Sequence, residues 1–279
     1  MIPALAEGVG EFADAKLNLA LHVTGRRDDG YHLLDSLVCF ADAGDRIDLA
    51  PGPLSLTIDG PFADGLASDD NLCLRAARSV GAEVAIRLTK NLPVASGIGG
   101  GSADAAAVLR GLHRMGYPLP ANPEILGADV PVCIASAPAR MQGVGEILTP
   151  APPLPPLHMV LANPGVALST PQVFSRLETR DNPPLPPIPL MPDMAALIAW
   201  CRATRNDLQA PAIKAAPVIA DVLDALTAQG AGLARMSGSG ATCFGLFDRA
   251  DRASAAAATL ARNGWWAVAC QLASAPNGG

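Results

Sequence analysis

Between Ala13 and Leu21 the chain has a period of two. The odd positions Ala13, Ala15, Leu17, Leu19 and Leu21 are apolar, while Asp14, Lys16, Asn18 and His22 take even positions, with Ala20 between them. Successive side chains of a strand point to opposite faces, so this alternation predicts a β-strand with one apolar and one polar face. Ser36–Phe40, Asp45–Leu49, Ser55–Ile58 and Val84–Leu88 continue the β pattern. After Gly101 the period lengthens. Ala105, Val108, Leu109, Leu112 and Met115 fall on one helical face, and Gly116 is a natural stop. Arg110, His113 and Arg114 crowd the last turns, where positive charge suits the helix dipole. Met194–Ala203, Val218–Ala228 and Ala253–Arg262 are also predicted helices, and Ala241–Phe247 a strand. This mixture predicts an α+β fold.

Proline marks the joints. Pro150-Ala-Pro-Pro-Leu-Pro-Pro156 and the stretch from Pro183 to Pro192 cannot be central strand or helix interior. The first run predicts a boundary between an N-terminal part, 1–150, and a C-terminal part, 151–279.

Half of the 279 residues are apolar and 16% are charged, which supports a large packed core and argues against disorder. Apolar runs break off well before the ~18–20 residues of a membrane span. Met1–Glu7 shows no basic region followed by an apolar block, so the expectation is a cytoplasmic protein without membrane partners. Composition leaves its assembly open between a monomer and a homodimer. A net charge of −6 disfavours nonspecific nucleic-acid binding. The six cysteines form no C-x-x-C pair and read as buried free thiols.

The strongest local signal is Leu92-Pro-Val-Ala-Ser-Gly-Ile-Gly-Gly-Gly-Ser-Ala-Asp-Ala-Ala106, a glycine loop running from a predicted strand into a predicted helix. Glycines let ligand oxygens approach main-chain N–H groups, and the helix N-terminus adds unsatisfied donors. Together they predict an anion cradle, with phosphate as the usual occupant, against the plainer reading of a tight turn. Other glycine motifs fail here. No lysine follows the glycines as a Walker loop requires. Ser102 stands where the dinucleotide fingerprint needs glycine, and Asp104 where the hydrolase elbow does.

Pro93-Val-Ala-Ser-Gly-Ile-Gly-Gly-Gly-Ser-Ala-Asp104 resembles the phosphate-binding second motif of the GHMP (galactokinase, homoserine, mevalonate, phosphomevalonate) kinases. Ala15-Lys-Leu-Asn-Leu19 resembles their first motif, and Arg235-Met-Ser-Gly-Ser-Gly-Ala-Thr-Cys-Phe244 the third, a glycine loop packed beside the second. Four further segments resemble the branch of the group that acts on a cytidine diphosphate-linked methylerythritol. They are Gly25-Arg-Arg-Asp-Asp-Gly-Tyr-His32, Leu126-Gly-Ala-Asp-Val-Pro-Val132, Gly143-Val-Gly-Glu-Ile-Leu-Thr-Pro150 and Asn206-Asp-Leu-Gln209.

The resemblance implies a two-domain GHMP kinase fold with the active site in the cleft between domains, and transfer of the ATP γ-phosphoryl group to the C2 hydroxyl of that substrate. Asp129 is then the base and Lys16 neutralises phosphate charge. Pro93, Val94, Ala95, Ser96, Gly97, Ile98, Gly99, Gly100, Gly101 and Ser102 hold ATP. Asn18 helps to position the substrate, Tyr31 and Phe174 sandwich the cytosine, and His32 bonds its edge. Magnesium is implied by ATP chemistry, with Ser102 the nearest protein oxygen. Alone, Lys16 reads equally as a solvated strand lysine and Asp129 as a turn or cap carboxylate. A mevalonate- or homoserine-type kinase and a catalytically silent nucleotide-binding paralogue are the competing functions. Nine residues lie between Leu119 and Asp129, Pro120 and Pro123 among them, where members of the group carry a longer helix. The position of Asp129 therefore divides an active kinase from a silent one.

Overall fold

The computed structural model describes residues 8–66 and 70–274; the Met1–Glu7 stretch read above lies outside them. The elements run β1 (Val9–Arg26), β2 (His32–Pro51), β3 (Ser55–Asp59), α1 (Leu72–Ser79), β4 (Val84–Thr89), α2 (Gly100–Arg114), α3 (Val130–Ala135), β5 (Ala139–Gly143) and β6 (Ile147–Pro150). Then follow β7 (His158–Asn163), α4 (Thr170–Ser175), α5 (Met194–Arg202), α6 (Gln209–Ala215), α7 (Val218–Ala228), β8 (Leu233–Met236), β9 (Cys243–Phe247), α8 (Ala250–Ala261) and β10 (Trp266–Gln271).

The first six strands form one sheet in the order β3-β4-β2-β5-β6, with β1 paired to β2. The predicted strands Ser36–Phe40 and Asp45–Leu49 are two halves of the single strand β2. A register shift at Asp14/Ala15 absorbs the Ala-Asp-Ala-Gly interruption that separates them in sequence. The last four strands form an antiparallel sheet in the order β10-β7-β9-β8. Its strand β9 starts at Cys243, later than predicted, because Thr242 belongs to a turn: its carbonyl accepts from Ser237 N and its N–H donates to Ser96 O. Among the described residues no helix is long and apolar enough to cross a membrane.

Alternation decides how the sheets stack. On β7, Met159 and Leu161 face one way and Val160 and Ala162 the other; on β9, Phe244 and Leu246 oppose Cys243 and Phe247. The first member of each pair of sets packs with Ala15, Leu17, Leu19, Leu37 and Cys39 of the first sheet, so the two sheets share one interior. The opposite face of the second sheet is covered by α7 and α8 through Ile219, Val222, Leu226, Ala253, Ala256 and Leu260. The first sheet packs α1 and α2 through its own core. All six cysteines are buried thiols.

The outer edge of β1 is closed rather than left open. Arg110 and Arg114 of α2 donate to the carbonyls of Phe12 and Gly10, and both also pair with Glu11. Farther along, Leu21 exchanges backbone hydrogen bonds with Arg205 and Asp207. Covering an edge in this way removes a template for aberrant strand pairing.

Candidate active site

The apolar face of β1 enters the shared interior, and its polar face does not meet solvent. Lys16 is 4% exposed, and its Nζ lies 2.9 Å from Asp129 Oδ2 and 3.0 Å from Asn18 Oδ1. Asn18 in turn donates to Ser36 Oγ. Asp129 sits at the N-cap position of α3 but makes no side-chain cap bond; its carboxylate is turned toward Lys16. The short approach to Asp129 is anchored instead of helical. A single 3-10 turn, Pro123–Ile125, leads to the buried Leu126, and the β5–β6 turn closes on the next residues, where Gly145 approaches Ala128. Nine residues therefore suffice to deliver Asp129 to Lys16.

The glycine loop wraps the other side of this pair. Gly99 has φ +65° and forms the N-cap of α2, whose first turn has no side-chain cap and no acid, leaving its N–H donors for a ligand. A Cβ on Gly99 would lie 3.3 Å from Lys16 Cβ and Cε and 3.6 Å from Asp129 Oδ2. A cavity of about 470 Å³ lies over the loop, lined by Pro93–Gly97, Gly99–Ser102, Lys16 and Asp129. Ile98 is not among the residues that line this cavity. Its side chain is wholly buried in the shared interior, because the apolar member of the loop is what ties the loop to the core.

Gly97 explains how the second and third glycine motifs meet. At φ +76°, a Cβ there would sit 2.5 Å from Ser237 O and 2.7 Å from Gly240 N, so the two backbones touch only because no side chain intervenes. Ser237 Oγ donates to Gly97 O and accepts from Asn18 N. Asn206 braces the third loop from behind by donating to Met236 O and Gly238 O, while Gln209 accepts from Met236 N. Gly99→Val is therefore expected to fold and to bind ATP at least tenfold more weakly. A left-handed backbone costs a residue with a Cβ roughly 1–2 kcal/mol, and a β-branched side chain adds contact with Lys16. Calorimetric titration with ATP measures this, and unchanged affinity would mark the loop as a plain turn.

A second cavity, about 720 Å³, adjoins the first and shares Ser102 and Asp129 with it. Tyr31 and His32 belong to its wall alone, and Phe174 lines both cavities. The rings of His32 and Phe174 are stacked, centroids 4.7 Å apart and 24° between planes, whereas Tyr31 is 65% exposed. His32 Nε2 is buried without a partner among the described residues. Burial, followed by the charges of Arg26 and Arg180, holds the His32 imidazole below its ordinary value, so it is neutral at pH 7.

Beneath the glycine loop lies an arrangement to which the sequence motifs attach no role. Lys90 Nζ stands 2.5 Å from Asp45 Oδ2 and 2.6 Å from Asp104 Oδ2, all three buried. Asp45 also accepts from Asn91 N and Leu92 N, where β4 turns into the loop. Burial pushes the Asp104 carboxyl up to about 8; Lys90 opposes that shift and Asp45 reinforces it. The Asp104 carboxyl therefore holds its proton more tightly than an ordinary carboxylate. The signal in the sequence is Asp104 itself, a charged residue on the apolar face of a helix, but its partners are distant along the chain.

Among known proteins, two family models match the chain: the GHMP kinases N terminal domain over residues 71–135 and the GHMP kinases C terminal over residues 181–264. The fold and the glycine-lined site are thus those of a GHMP kinase. A homoserine kinase from Cytophaga hutchinsonii, 16% identical, shares this fold with a TM-score of 0.69 over 99% of this chain and 97% of its own. Much nearer is the 4-diphosphocytidyl-2-C-methyl-D-erythritol kinase of Paracoccus denitrificans, 64% identical over 95% of this chain and 97% of that one. A crystal structure of 4-(cytidine 5'-diphospho)-2C-methyl-D-erythritol kinase superposes with a TM-score of 0.78 at 35% identity, covering 95% of this chain and all of that one. The chain belongs to the 4-diphosphocytidyl-2-C-methyl-D-erythritol kinase family.

Proposed function

We propose that the chain transfers the γ-phosphoryl group of ATP to the C2 hydroxyl of 4-diphosphocytidyl-2-C-methyl-D-erythritol. The observation that carries this reading is the Lys16–Asp129 pair beside two adjoining cavities, one floored by the glycine loop and the other reaching Tyr31 and His32, with Phe174 lining both. ATP lies over Pro93–Gly97 and Gly99–Ser102, its phosphates on the N–H groups at the start of α2. Asp129 accepts the proton of the acceptor hydroxyl as the new P–O bond forms, and the Lys16 ammonium offsets charge on the transferring group. Asn18 holds the Lys16 ammonium in place through its 3.0 Å bond. No cluster of three or more His, Cys, Asp or Glu suited to a metal is assembled among the described residues. Magnesium would therefore ride on the ATP phosphates with the Ser102 hydroxyl beside them, where it supplies charge neutralisation.

At the other end, the neutral imidazole of His32 leaves Nε2 for the cytosine edge, and Phe174 and Tyr31 offer ring surface. Phe174→Ala and His32→Ala are each expected to cost ~1–3 kcal/mol in binding of the cytidyl substrate, with ATP binding spared. Because the two rings stack on each other, the double variant should lose less than the sum of the single losses. Steady-state kinetics with each substrate varied separately tests this; equal damage toward both ligands would contradict it. The activity itself is tested by ADP release with the cytidyl substrate beside mevalonate and homoserine. Release with either of the latter alone would move the chain to another branch of the group.

A further inference from the structure

The second cavity must accept a ligand whose middle is a diphosphate, and the glycine cradle that handles phosphate lies in the other cavity. An anion of about two charges placed in a partly enclosed cavity needs cations on its wall, since loss of water is otherwise uncompensated. Two guanidinium groups stand there, Arg26 and Arg180. They come from different parts of the chain: Arg26 ends β1, and Arg180 follows α4.

Neither is neutralised by a carboxylate among the described residues. The Arg26 side chain makes one hydrogen bond among them, from Nε to Gly30 O across the β1–β2 turn, which leaves its terminal nitrogens available. The two acids in that wall are already engaged: Asp29 Oδ2 lies 2.6 Å from Arg27 and its Oδ1 accepts from Tyr31 N, while Asp129 pairs with Lys16. Both arginines line the cavity together with His32. Two guanidinium groups without carboxylate partners in one cavity wall favour an anionic occupant, since a lone cation there loses hydration without compensation.

Resting on the function proposed above, we infer that Arg26 and Arg180 form a clamp for the diphosphate of the cytidyl ligand and thereby select nucleoside diphosphates over neutral polyols. The guanidinium fork matches phosphate oxygens two at a time, which an ammonium does not. The clamp closes the ligand between two chain segments while the base rests against His32 and Phe174.

The test compares calorimetric binding of cytidine, CMP and CDP to the full chain and to Arg26→Gln, Arg180→Gln and the double variant. Wild type should bind CDP more tightly than cytidine, and the advantage should shrink as salt rises, because screening acts on the charged part alone. Each single variant should weaken CDP by a factor of about 10 to 100, as for a lost charge-assisted bond, and leave cytidine unchanged. Arg180→Lys should recover part of the loss. Arg180 makes no backbone bond among the described residues, so its variant serves where Arg26→Gln disturbs the turn. Kinetically, the apparent KM for the cytidyl substrate should rise while that for ATP holds. Equal weakening of cytidine and CDP, or undiminished CDP binding by both single variants, would overturn the clamp while leaving the kinase reading intact. A wild type that binds none of the three would overturn the cytidyl reading and the clamp with it.

Discussion

Asp129→Asn should retain the fold and lose turnover by a factor on the order of 10²–10⁴, the usual range when a general base is removed. The amide keeps the size of the carboxylate and can still accept from Lys16, so the 2.9 Å contact need not break. What it cannot do is take the proton of a tertiary hydroxyl. Apparent affinity for ATP should change little, because the nucleotide is held by the loop and by the start of α2. Lys16→Ala differs in kind. It removes charge beside the transferring group and leaves Asp129 facing the phosphates unopposed, so both turnover and ATP binding should suffer. The two variants are separated by single-turnover kinetics with nucleotide titration. Turnover of Asp129→Asn within about threefold of wild type would strip Asp129 of the role of base, since less than about 1 kcal/mol of the barrier would then depend on it.

Much of this site is legible in the sequence because it is built from local signals. Alternation along Ala13–Leu21 by itself separates Lys16 and Asn18 from the apolar face, and the glycine loop declares itself by composition. Burial of the polar face is not legible. Period two says which residues share a side, not what covers that side, and here the cover comes from the glycine loops and from Asp129, all distant in sequence. For the same reason Ile98 groups with its loop in sequence although its side chain is core. A residue in a binding loop can anchor the loop from beneath, and only packing distinguishes the two roles.

The fold shows the same division. Helices with long periodic faces, α2 and α7 above all, match their predicted extents closely. Short or buried elements offer no such handle. Strand β7 reads simply as an apolar run, and α4 and α6 are too short for a period to emerge. The tertiary ties between the glycine motifs, Gly97 against Ser237 and Asn206 to Gly238, depend on the sheets meeting face to face. Resemblance to a kinase family ranks those segments as meaningful, but it does not say that Asn206 works on the third loop and not on a ligand.

Lys90→Met should be the most destabilising single change at the site, at roughly 3–5 kcal/mol, because it strands a buried carboxylate. Asp45 is fully buried and would keep the N–H groups of Asn91 and Leu92 but lose its cation. Those groups lie at the entrance to the phosphate loop, so partial loss of nucleotide affinity should accompany the loss of stability. Asp104→Asn is the informative companion. The Asp104 carboxyl is pushed up to about 8, chiefly by burial, so between its unfolded value of about 4 and that point the native state binds more protons than the unfolded one. Stability contributed by this group therefore falls as pH rises through that window. Relative to wild type, Asp104→Asn should gain stability steadily from about pH 4 to about pH 8. Urea unfolding at several pH values reads both effects on one scale. If Lys90→Met cost under about 1 kcal/mol, the lysine would be spectator to two acids that manage without it. If the Asp104→Asn difference were flat with pH, Asp104 would be ionised throughout, and the group beneath the loop would carry a net negative charge directly under the phosphates.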